Sequence, residues 1–193
     1  MINKAKFVEV LSEKKLTDKE IVQKYLIHGK TFIFENDEDL YFDLKKEVAS
    51  FFKIGPQEIF MIGSAKLGFS IAPSKLWKEF NEESDIDIVV VSDKIFDIYW
   101  QELFEFNIEL TARSQGEQDL YEKFLNYFFR GWIRPDLFSF NFQKKAQWFD
   151  FFKEISYKKY GTQKITCAIF RNMFFFEKYH TSNIKIIREG FIK

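Results

Sequence analysis

Between Leu40 and Phe52 apolar residues return every three or four positions, at Leu40, Tyr41, Leu44, Val48, Phe51 and Phe52. That spacing lays them on one face of a helix, which Asn36 or Asp37 can cap with a side-chain oxygen. A shorter helix is predicted upstream, where Thr17-Asp18-Lys19-Glu20 forms a capping-box pattern ahead of Ile21, Val22, Tyr25 and Leu26, with Gly29 as its stop. Gly55-Pro56 then breaks the helical period. The short apolar run from Glu58 to Ile62 ends in Gly63 and reads as a buried strand. From Ile71 to Glu83 the chain is polar and irregular, the pattern of a surface loop, and a second strand is expected from Asp85 to Val91.

Ser92 is placed to cap the next helix, whose apolar face carries Ile95, Ile98, Tyr99 and Leu103. Leu120, Phe124, Leu125 and Phe128 mark another. Gly131 to Phe142 reads as extended chain, with Pro135 restricting it to an edge or irregular strand because proline has no N–H to give a ladder. A helix near Gln143 to Lys158, an extended run from Lys164 to Phe170 and a final helix toward Ile187 complete the pattern. Helices and strands in this order predict an α+β fold. The 193 residues suit one domain with a continuous core.

Charge narrows the partners. Lys and Arg total 29 and Asp and Glu total 29, so no strong overall basic field draws the chain to nucleic acid, and a polynucleotide would need a local patch. The 26 phenylalanines accompany many Lys, Ile and Asn residues, a codon bias as much as a function, yet each buried ring removes roughly 150 to 250 Å² from water. Cys167 is the sole cysteine, which excludes an internal disulfide, and no Cys and His cluster offers a zinc site. The N-terminal stretch has no signal-peptide core and no run of about 18 apolar residues exists, so the expectation is a cytoplasmic protein without a membrane partner.

The chemistry concentrates in two segments, G-S-A-K-L-G-F-S at Gly63 to Ser70 and S-D-I-D-I-V-V-V at Ser84 to Val91. Alternate residues of a strand share a face, so Asp85 and Asp87 present two carboxylates together while Ile86 and Ile88 turn to the core. One or two carboxylates, completed by waters and substrate phosphate oxygens, are the usual protein share of a magnesium site. Gly63 lets backbone approach a phosphate, Ser64 offers a hydroxyl and an N–H, and Lys66 can add a point charge. His28 and His180 have no metal-ligand spacing and read as structural or surface residues.

An apolar strand, Gly-Ser, a spacer and Asp-x-Asp in a second apolar strand together resemble the signature of the DNA polymerase β-like nucleotidyltransferase superfamily, over roughly Ile59 to Val91. The resemblance implies a mixed β-sheet nucleotidyltransferase core over 56–142, flanked by helical parts at 1–55 and 143–193. It also implies Mg2+ as cofactor, and transfer of a nucleoside monophosphate from an NTP to an acceptor hydroxyl with release of diphosphate. In such proteins Gly63 and Ser64 would contact the triphosphate and Asp85 and Asp87 the metal. A third carboxylate on a later strand completes the family's site; Asp136 is the candidate here and Glu109 its rival. The spacer from Ser64 to Asp85 is longer than in the smallest members, and Lys66 stands where many relatives carry another residue. A surface loop absorbs the length at little entropic cost.

The acceptor is open among a protein side chain, an RNA end, a small molecule and a second nucleotide. The alternative is a catalytically weak protein of the same fold that binds nucleotide or a protein partner, for example in a toxin-antitoxin or phage-defence system. Asp136 separates the two by its distance from Asp85 and Asp87. Arg171, Lys178, Lys185 and Arg188 could form a basic strip near the C-terminus, and Arg134 is either a salt-bridge partner or a substrate contact.

Overall fold

Local capping sets the helix starts. The Thr17 hydroxyl accepts the Glu20 N–H, while the Glu20 carboxylate accepts the Thr17 N–H at 2.7 Å. Asp37 likewise accepts the Leu40 N–H at 2.9 Å, and Ser114 and Glu117 form a second reciprocal box. In the computed structural model, which describes residues 2–109, 112–138 and 142–190, these caps open α2 (Asp18–Ile21), α3 (Glu38–Phe52) and α6 (Gln115–Phe129). Helix α2 runs on as a π-helical turn over Val22–Ile27. One helix was not foreseen: α1 (Lys4–Glu13), capped by Asn3, with only Phe7, Val10 and Leu11 buried.

Strand β1 (Ile59–Ile62) leads directly into the short helix α4 (Gly63–Leu67), and β2 (Ile86–Val91) leads into α5 (Asp93–Glu109). After α6 come β3 (Trp132–Ile133), α7 (Gln143–Ile155), β4 (Ile165–Phe170) and α8 (Met173–Gly190). The strands form one mixed sheet in the order β1-β2-β4-β3. Strand β1 is antiparallel to β2, β2 is parallel to β4, and β3 is antiparallel to β4. The fold is α+β, as the element order implies.

Alternation along the strands divides the core. Ile59, Met61, Ile86, Ile88, Val90, Ile165 and Ile169 share one buried cluster with Leu44, Val48 and Phe52 of α3 and with Trp148 and Phe152 of α7. Val89, Val91 and Phe170 face the other way and meet Phe176 of α8. A third cluster joins α1 and α2 to Leu67, Phe69 and Ile71 and to Ile184 and Ile187 of α8. Among the described residues no helix is long and apolar enough to cross a membrane.

Two differences from the sequence pattern matter for the site. The extended segment expected from Gly131 to Phe142 is a strand only at Trp132–Ile133; it then closes into a 3-10 turn over Pro135–Leu137, and positions 139–141 lie outside the described residues. Proline's missing N–H and fixed φ favour that turn over a longer ladder. The sheet also extends beyond 56–142, because β4 from the C-terminal part stands between β2 and β3. A parallel neighbour requires a long crossover, and α5 to α7 supply it.

His180 illustrates the cost of an aromatic core. It packs against the rings of Phe170, Phe176 and Tyr179, and its Nε2 is buried without a hydrogen-bond partner. Burial pushes its pKa down from 6.5 to about 4. The folded state therefore holds the neutral imidazole. Stability should be full above pH 6.5 and fall as pH drops toward 4, where the unfolded chain takes up a proton that the folded chain refuses. The loss should reach up to about 3 kcal/mol, and urea unfolding of wild type and His180→Phe across that window should show the slope flattened in the variant.

Candidate functional site

The register of β1 against β2 places Ile62 opposite Asp87. One residue later the chain must leave the strand, and it does so at Gly63 with φ +68, a left-handed conformation that suits glycine. A second constraint falls on the same residue: a Cβ there would lie 2.7 Å from Asp87 Oδ2. The Gly-Ser turn and the Asp-x-Asp strand are therefore in direct contact. Ser64 is half-buried, and its carbonyl accepts the Gly68 N–H at 2.8 Å.

Asp85 is exposed just before β2, whereas Asp87 is half-buried within it. Opposite Asp87 in the parallel register stands Thr166 of β4, whose hydroxyl donates to Asp87 Oδ1 at 2.6 Å. Burial pushes the Asp87 carboxyl above its ordinary range. The Thr166 hydrogen bond opposes that, the Asp85 charge adds to it, and Lys75 and Arg134 act weakly against it. Among the described residues no cation forms an ion pair with Asp87. Sequence reading missed Thr166, because nothing local announces that β4 will lie parallel to β2.

Both carboxylates line a cavity of about 730 Å³. It borders the edge of β4 opposite β2, where among the described residues β3 pairs only with Ile169 and Phe170 and no strand pairs with Ile165 to Ala168. The Ile165 N–H is satisfied by the buried Ser156 hydroxyl at 2.8 Å, which in turn donates to the Phe152 carbonyl. The lining includes Asp85, Asp87 and Asp136, the Arg134 that pairs with Asp136, the aromatic residues Trp148, Phe149 and Tyr157, and Lys153 and Lys164. Ile62 also lines it, and Gly63 adjoins it through Asp87, with Ser64 the next residue along the chain.

Asp136 lies in the 3-10 turn at this cavity, not on a strand, and Arg134 grips its carboxylate through Nε at 3.2 Å and Nη2 at 2.6 Å. Arg134 also lies over the rings of Tyr127 and Trp132 and lines the cavity beside Asp136. Glu109 is exposed at the end of α5 and does not line the cavity. Among the described residues no three His, Cys, Asp or Glu side chains are grouped to hold a metal ion. The acidic pair thus has a hydroxyl, Thr166, as its nearest bonded partner.

Lys66 does not join the site. The Phe32 N–H donates to the Ala65 and Lys66 carbonyls and ties α4 to the 29–32 segment, and the Lys66 ammonium donates to the Gly29 carbonyl. The four basic residues near the C-terminus are individually engaged among the described residues. Arg171 pairs with Asp97, Lys185 with Glu189 and Arg188 with Asp18, while Lys178 lies over the Phe174 ring. Cys167 lines the cavity, and burial pushes its thiol pKa well up, which keeps it unreactive.

Compared with known proteins, the chain matches no family model, no curated protein and no solved structure. Its site is interpreted from its own geometry.

Two substitutions probe that geometry. Gly63→Ala should cost about 1 to 3 kcal/mol in urea unfolding, since it meets both the positive φ and Asp87 Oδ2; an unchanged midpoint would show that the turn relaxes freely. Thr166→Val removes the hydroxyl that holds the Asp87 pKa down. Carboxyl-carbon NMR should then find Asp87 titrating at higher pH, and an unmoved titration would dismiss the hydrogen bond.

Proposed function

We propose that this chain is a magnesium-dependent nucleotidyltransferase acting on an NTP and an acceptor hydroxyl. The observation that supports the reading is the contact between Gly63 and Asp87, which joins the two sequence segments beside a cavity that both Asp85 and Asp87 line. A carboxylate beside a second carboxylate, pushed up by burial and without a paired cation, is a fitting oxygen donor set for a hard divalent ion.

On this reading Asp85 and Asp87 hold the magnesium, and Thr166 fixes Asp87 Oδ1 so that the remaining oxygen stays directed toward Gly63. Magnesium, when bound, neutralises charge on the phosphate oxygens. Gly63 leaves room for the phosphate chain, and Ser64 donates hydrogen bonds to it. The aromatic part of the cavity, with Phe149 and Tyr157, receives the base. The acceptor hydroxyl gives up its proton to a carboxylate or to water, its oxygen forms a bond to the α-phosphorus as the bond between the α-phosphorus and its bridging oxygen breaks, and diphosphate leaves. Asp136 contributes once Arg134, which holds it through two hydrogen bonds, releases it.

One feature favours a second reading, in which the chain binds nucleotide without transferring it. Thr166 stands opposite Asp87, and Asp136 is occupied by Arg134, so no third carboxylate joins the pair.

Calorimetric titration of each NTP with and without magnesium should show metal-dependent binding that Asp85→Ala/Asp87→Ala weakens by more than about tenfold, or 1.4 kcal/mol. Transfer of label from an α-labelled NTP, lost in Asp136→Asn while binding persists, would favour the transferase. Binding with no transfer to protein, RNA or small hydroxyl acceptors would favour the second reading. If the folded protein binds no NTP, both readings are wrong.

A further inference from the structure

A second cavity, of about 480 Å³, is lined by Lys6 of α1, Lys24 and Tyr25 of the π-helical turn, Gly29, Lys30, and Lys66 of α4. Four lysines from four segments converge on it, and no carboxylate is part of its lining. We propose that this cavity is a binding site for a small, multiply charged phosphate anion.

Lys66 is the anchor of the argument. It is 3% exposed, and its ammonium donates to the Gly29 carbonyl. Among the described residues no carboxylate pairs with it. A buried charge without a counter-charge is destabilising, and the group is retained at a cost that a bound anion would offset. Burial, reinforced by the neighbouring Lys45, pushes its pKa down to about 8, a further sign that the environment lacks negative charge.

The other three lysines are exposed and differently engaged. Lys6 pairs with Glu9 at 2.7 Å and Lys30 with Glu38 at 2.9 Å, contacts between exposed side chains that are easily exchanged. Lys24 lies over the Tyr25 ring, and no salt bridge to it is formed among the described residues. Lys24 and Lys66 thus line the cavity without a carboxylate partner among the described residues, beside Lys6 and Lys30 in their exposed ion pairs. A singly charged ion would leave part of that excess uncompensated, whereas diphosphate or a nucleotide's phosphate chain matches it. Lysine suits such a ligand because its ammonium acts as a compact point charge without demanding planar geometry.

The site is separate from the acidic cavity, so its test is independent of the transferase reading. Sodium diphosphate and, in a second arm, magnesium-free ATP should be titrated calorimetrically at low ionic strength into wild type, Lys24→Ala, Lys66→Met and Asp85→Ala/Asp87→Ala. Diphosphate should bind wild type and the double aspartate variant equally. It should bind Lys24→Ala and Lys66→Met about tenfold more weakly, and salt should weaken it throughout. Similar affinity for both probes identifies free diphosphate as a sufficient ligand, and much tighter ATP binding with the same lysine dependence identifies the nucleotide as the source of the phosphate. Lys24→Ala, at an exposed position, keeps the test valid should Lys66→Met fail to fold. Absence of diphosphate and ATP binding, or binding unaffected by Lys24→Ala, overturns the proposal.

Discussion

The parallel pairing of β2 with β4 is the constraint on which the rest of the structure depends. Strand β2 is buried along most of its length, so it must be flanked on both edges and covered on both faces. β1 satisfies one edge as an antiparallel neighbour, joined to β2 through α4 and the loop that follows it. The other edge is filled only after the chain has passed through α5, α6, β3 and α7 and returned as β4. That return brings Thr166 against Asp87, and it also aligns the open edge that lines the cavity. The oxygen-rich end of β2 and the apolar remainder are two parts of one pairing arrangement.

What was legible in the sequence was what local chemistry decides. Thr17 and Asp37 sit at helix starts because their side-chain oxygens satisfy N–H groups a few residues away, and such signals need no knowledge of the fold. The alternation of Asp85, Ile86, Asp87 and Ile88 likewise dictates which groups share a face. The contact of Gly63 with Asp87 could be anticipated once β1 and β2 were taken as neighbours. Thr166 could not, since its partner lies 79 positions away and its own strand has an unremarkable sequence. Lys66 was misleading for a related reason: three residues beyond Gly63 in sequence, it is drawn toward Gly29 by main-chain bonds from Phe32 to α4. Asp136 lies between these cases: the sequence pattern places it on a strand, and it lines the same cavity as Asp85 and Asp87 from a turn that begins at Pro135.

The phenylalanine content has a structural use whatever its origin. Phe51 stacks on Phe151 at 4.2 Å, joining α3 to α7, and Phe52 meets Trp148 edge-on at 5.1 Å in the same layer. On the opposite face Trp132 stacks on Phe170, which lies edge-on to Phe176 of α8. Flat rings fill the space between a twisted sheet and its helices with few rotatable bonds, so the cores are set by orientation as much as by volume. His180 among these rings shows that the layer tolerates a polar atom only in its uncharged form.

The short pairing of β3 has a consequence for how this molecule can vary. The chamber beside Asp85 and Asp87 borders the stretch of β4 where, among the described residues, β3 has already ended: Ile169 and Phe170 pair with it, whereas Ile165 to Ala168 pair only with β2. Its border there is thus set by where a backbone stops. A descendant could enlarge, narrow or seal the chamber by moving the end of one edge strand, while the hydrophobic layers above and below kept every contact they have.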